Sequence, residues 1–143
     1  MLSTAQVEDL FIAKVTALDV FRLIQSTGRG DVEEEAKSVL KKPAALVYFA
    51  GDENTGHRPR LVTDETYGIA VVGNNLKSEK DAARSVYDLI DAVRDGLHGK
   101  YWGYDELGPV NYEGRNLILY ESGTIAYLLK FTVRHSLHVP DPY

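Results

Sequence analysis

The chain has 143 residues, 44% hydrophobic and 26% charged, with a net charge of −5 from 16 basic and 21 acidic side chains. Those proportions support one ordinary core and exclude a disordered, collagen-like or low-complexity chain. With no Cys there are no disulfides, thiol nucleophiles or Cys-ligated metals; no apolar run approaches the roughly 20 residues of a membrane span, and the acidic balance argues against nonspecific nucleic-acid binding.

The chain opens on Ser3-Thr4-Ala5-Gln6, the S-x-x-Q form of a capping box. Val7, Leu10, Phe11, Val15 and Leu18 follow at spacings of three and four and predict an amphipathic helix. The start carries neither a basic n-region nor an apolar h-segment, so no signal peptide and cytosolic synthesis are expected. Val20–Ser26 fits a short strand before Gly28-Arg29-Gly30. A second helix is predicted from an Asp31 cap, with Glu33, Glu34 and Glu35 in its first turn and Lys37, Lys41 and Lys42 in its last. Its apolar stripe would be Val32, Ala36, Val39 and Leu40, and Pro43 would stop it.

Ala44–Ala50 reads as a buried central strand and Thr66–Val72 as a second. Ser78-Glu79-Lys80-Asp81 caps a third helix, whose apolar face is Ala82, Val86, Leu89, Ile90, Val93 and Leu97. Gly96 and Gly99 lie where a C-terminal cap belongs. Leu117–Tyr120 and Thr124–Arg134 predict two further strands joined in a hairpin by Glu121-Ser122-Gly123. The order predicts one α+β domain over residues 1–143, a mostly antiparallel sheet of about four to five strands with helices packed mainly on one face.

Motifs for chemistry are weak. Gly51 to Gly56 has the glycine spacing of a phosphate-binding loop, but His57 and Arg58 stand where Lys and a hydroxyl are needed. His135, His138 and Asp141 read H-x-x-H-x-x-D and define one alternative, a small metal-dependent enzyme. A second alternative is a peptide-binding module that adds a strand at an open sheet edge. No G-x-S-x-G occurs.

Two long loops remain as candidate interaction elements. Gly51–Glu65 is polar, and its Asp52, Glu53, Arg58 and Arg60 are candidates for polar contacts. His98–Asn116 carries Tyr101, Trp102, Tyr104 and Tyr112, of which Tyr101, Trp102 and Tyr104 are candidates for apolar anchoring. The competing reading is that these rings fold back and close the end of the sheet.

The strings Pro43-Ala-Ala-Leu-Val-Tyr-Phe, Tyr67-Gly-Ile-Ala-Val-Val and Ile90-Asp-Ala-Val-Arg-Asp-Gly-Leu-His-Gly99, with Gly108-Pro-Val and Gly123-Thr-Ile-Ala-Tyr, resemble tail terminator (tail-completion) proteins of tailed bacteriophages, the Mu-like minor tail proteins above all. The resemblance implies a non-enzymatic virion subunit, from a phage or prophage, made in the bacterial cytoplasm. It would assemble as a homo-oligomeric ring, a hexamer, on the head-proximal end of the tail, ending tube growth. Its implied partners are itself, the tail tube protein, head-completion proteins and, in contractile tails, the sheath. It implies no cofactor, nucleic acid or membrane, and no family residue transfers by position.

Overall fold

The computed structural model describes residues 1–56, 61–74 and 78–137. Its elements are α1 (Thr4–Ala17), β1 (Leu23–Ser26), α2 (Val32–Ser38), β2 (Ala44–Asn54), β3 (Leu61–Asn74), α3 (Glu79–Leu97), β4 (Asn111–Glu121) and β5 (Thr124–Leu137). The five strands form one mixed sheet in the order β1-β2-β3-β5-β4. Only the β1–β2 pair is parallel. The architecture is therefore α+β, as expected.

Side-chain alternation along the strands divides the core in two. Ala45, Val47, Tyr67, Ile69, Val71, Leu129, Phe131 and Val133 face α1 and α3. Ala44, Leu46, Ala70, Val72, Ala126 and Leu128 face the opposite way, toward α2. Two of the three helices among the described residues thus share one face. α1 buries Val7, Phe11 and Val15, one residue per turn. Its start has the full capping box: Gln6 N–H donates to Ser3 Oγ at 3.1 Å, and Ser3 N–H donates to Gln6 Oε1 at 2.8 Å. α3 begins on Ser78, whose Oγ accepts from Asp81 N–H at 3.1 Å. It buries Ala82, Ala83, Val86, Ile90, Val93 and Leu97.

Several expected boundaries are corrected. α2 ends at Ser38, so Lys41 and Lys42 lie beyond its last turn; Leu40 is 95% exposed instead of packed. Asp31 occupies the N-cap position without a side-chain hydrogen bond. Gly51–Glu65 is largely not a loop, because β2 runs to Asn54 and β3 starts at Leu61. The pairing passes a bulge between Phe49 and Gly51 and continues as Asp52↔Glu65, Glu53↔Asp64 and Asn54↔Thr63. The second loop is also shorter, since β4 begins at Asn111, and β5 continues to Leu137. The β4–β5 hairpin turns through Ser122 and Gly123 at φ 51° and 78°. Two consecutive positive φ values define the tight turn that matches strand twist.

The sheet face opposite α1 and α3 is only partly covered by α2. On that face the Tyr48 ring lies against Gly68, where a Cβ would collide with the ring. Tyr48 is consequently buried, which pushes its phenol up, with the Arg29 charge opposing. Beside it an open trough of about 1200 Å³ crosses the strands, with Lys130 and Thr132 on its floor.

Candidate functional site

The residues singled out for interaction separate into three groups. Asp52 and Glu53 are exposed near the end of β2. They sit opposite Glu65 and Asp64, so the β2–β3 hairpin carries two like-charged cross-strand pairs. Like charges in that position repel, and the third strand supplies the compensation. Arg134 Nε donates to Asp64 Oδ1 at 3.1 Å, and His135 meets Glu65. Arg58 and Arg60 lie outside the described residues.

The aromatic rings divide between the two readings. Trp102 packs edge-on against Phe11, ring centroids 4.8 Å apart, and Phe11 stacks on Tyr67 at 4.6 Å. Tyr112 meets Phe131 at 5.5 Å. These two rings fold back and close the end of the core. Tyr101 and Tyr104 are exposed by 57% and 38% and are presented at the surface. The loop between α3 and β4 thus uses Trp102 as an anchor and holds two tyrosines outward.

That loop is tied to the sheet by the backbone as well. Gly108 N–H donates to Arg134 C=O at 2.9 Å, and Ser136 N–H donates to Glu106 C=O at 2.8 Å. At its start, Gly99 N–H donates to Val110 C=O at 2.7 Å and Val110 N–H to Lys100 C=O at 3.0 Å. Gly99 takes φ 74°, the left-handed conformation in which a chain leaving a helix favours glycine.

The sequence did not disclose the chain of buried polar groups beneath this loop. His135 is 1% exposed. Its Nδ1 lies 3.0 Å from Glu65 Oε2 and its Nε2 2.7 Å from Glu106 Oε2. Tyr67 Oη donates to Glu65 Oε1 at 2.9 Å, and Thr63 Oγ1 to Glu65 Oε2 at 3.4 Å. The Leu2 N–H donates to both Glu106 oxygens, at 3.0 and 3.1 Å. Burial pushes the Tyr67 phenol far up, and the charge of Glu65 adds to the effect. Burial would also raise Glu106, but the hydrogen bonds from His135 and Leu2, with the neighbouring positive charge, outweigh it and hold that carboxyl below its ordinary value.

This geometry bears on the metal reading. Both ring nitrogens of His135 are engaged by carboxylates, which leaves neither free for a metal; His138 and Asp141 lie outside the described residues. Among the described residues no group of three His, Asp or Glu side chains is arranged to hold a metal ion. Two carboxylates of α3 have partners of their own: Asp91 meets Arg94 and Arg115 at 3.3 Å each, and Asp95 meets Arg94 at 2.9 Å.

An open edge for strand addition exists at β4, which pairs with β5 alone among the described strands. Bulges between Tyr112 and Gly114 and between Leu117 and Leu119 leave only a short regular stretch. Such interruptions blunt an edge against further pairing.

No protein-family model matches the chain, and no curated protein matches it. Among solved structures it is similar to a chain from the virion of a native gene transfer agent (GTA) particle. The two share 12% identity and a TM-score of 0.51, and the likeness covers 86% of this chain and 84% of that one. What the chain shares with that virion component is its fold.

Proposed function

We propose that this chain is a non-enzymatic structural subunit of a phage-like virion, acting as a tail terminator or tail-completion protein. In this reading it forms a hexameric ring on the head-proximal end of the tail, stops growth of the tube and offers surfaces to the tube protein, head-completion proteins and a sheath where one is present. The supporting observation is the fold shared with a virion component across most of both chains. The resemblance of the strands and third helix to tail terminators points the same way.

A ring needs a heterologous interface, with different patches on the two sides of each subunit. The charged end of the β2–β3 hairpin, with Asp52 and Glu53, and the outward tyrosines Tyr101 and Tyr104 are the patches assigned here to assembly. Surface loops and hairpin ends on a rigid sheet are suited to such contacts.

The test is deletion of the gene from a strain that makes the particle, followed by electron microscopy. Tubes of uncontrolled length without heads, restored to normal by the wild-type gene, are the expected result. Headed particles with normal tails would overturn the proposal. A Tyr101→Ala, Tyr104→Ala double variant that restores normal tails as well as wild type would remove the tyrosines from the interface while leaving the function intact.

A further inference from the structure

Glu106 joins three segments that are distant in sequence. Its carboxylate accepts from Leu2 N–H just before α1 and meets the ring of His135 on β5, while its own backbone C=O accepts from Ser136 N–H. On the other side of the ring stands Glu65 of β3. An ionised carboxylate can only accept hydrogen bonds. The ring of His135 meets a carboxylate at each nitrogen, Nδ1 at Glu65 and Nε2 at Glu106.

We propose that Glu65–His135–Glu106 is a proton-operated clasp that holds the loop after α3, together with the entry to α1, against the end of the sheet. Protonating Glu106 removes the charge that draws both the His135 ring and the Leu2 amide. That change loosens the loop that carries Tyr101, Trp102 and Tyr104.

The groups that face the clasp come from every element around it. β3 contributes the Tyr67 phenol and Thr63 hydroxyl, both donating to Glu65. The chain start contributes the Leu2 amide and the charge of the N-terminus, which acts on Glu106. Glu8 of α1 and Asp52 of β2 act on the Tyr67 end. The opening is local because β3 and β5 are paired along their whole described length, from Leu61↔Leu137 to Asn74↔Thr124. The loop instead meets β5 through the Gly108 and Ser136 amides and a single bridge, Leu107↔His135. Segments with few such ties open below the free energy of global unfolding.

The experiment is amide exchange by NMR on the full chain and on Glu106→Gln, with protection corrected for intrinsic rates. Glu106 is partly exposed, so the variant is expected to fold. Glu106→Gln should lower protection at Gly108 and Ser136 by about tenfold or more, the effect of one charged hydrogen bond, while the β3–β5 ladder is unchanged. Wild type should show the same local loss on acidification below about pH 4, where carboxylates protonate. Unchanged protection at Gly108 and Ser136, or a loss shared by the whole ladder, would each overturn the clasp.

Discussion

Gly73 of β3 lies directly beneath Val86 of α3, so close that a Cβ on the glycine would fall inside the surface of Val86 Cγ1. Val86 is 1% exposed, and its branched side chain has little rotamer freedom in a helix. The contact sets how near α3 can approach the sheet. Gly73→Ala should therefore lift the helix or force the valine off its rotamer, at a cost of about 1–3 kcal/mol. Urea unfolding of the two proteins measures it, and a change within error would show that the helix can shift freely.

Trp102 and its loop neighbours Tyr101 and Tyr104 should respond in opposite ways. Trp102→Ala removes the ring that closes over Phe11 and should cost about 2–4 kcal/mol, below a fully buried aromatic because Trp102 is only partly covered. Tyr101→Ala and Tyr104→Ala should each stay within about 0.5 kcal/mol, as exposed side chains do. Thermal unfolding separates the two classes. If Trp102→Ala were neutral, the loop would be anchored by its backbone bonds and the Glu106 contacts alone.

The two long helices begin at caps that are legible in the sequence, and each makes its own prediction. Ser78→Ala deletes the acceptor for the Asp81 amide, and Ser3→Ala that for the Gln6 amide. Each should cost about 1 kcal/mol. Replacing each serine with Asp, which can accept the same bond, should recover most of the loss. Thermal melts of the four single variants test both positions.

Helices were readable because their signals are local: a cap, a stripe at spacings of three and four, and glycines at the end. The extension of β2 and β3 is not local. Asp52, Glu53, Asp64 and Glu65 look like a solvated loop when read along the chain, and their cross-strand pairing is unfavourable for two strands taken alone. Only β5, about 70 residues away, makes it tenable by placing Arg134 on Asp64 and His135 on Glu65. The same distance hid the clasp, since Glu65, Glu106 and His135 share no spacing. Tyr101 and Trp102 are adjacent, and nothing in their order told which one turns inward; the position of Phe11 decides it.

Glu106 also gives stability a pH dependence of defined sign. Its carboxyl is held below the ordinary 4.5 in the folded protein. A depressed carboxyl binds its proton less readily when folded, so the unfolded chain holds more protons as the solution is acidified. Its stabilising contribution is therefore complete above the unfolded value and is lost as pH falls through the folded one. Other carboxylates titrate in the same range, so the quantity to follow is the difference between wild type and Glu106→Gln in urea unfolding. That difference should be constant at neutral pH, then shrink steadily as pH falls through about 4.5, where the unfolded carboxyl is half protonated. A difference that stayed constant through the acid range would mean that the Glu106 charge contributes nothing to the fold and that its bonds to His135 and Leu2 act as neutral contacts.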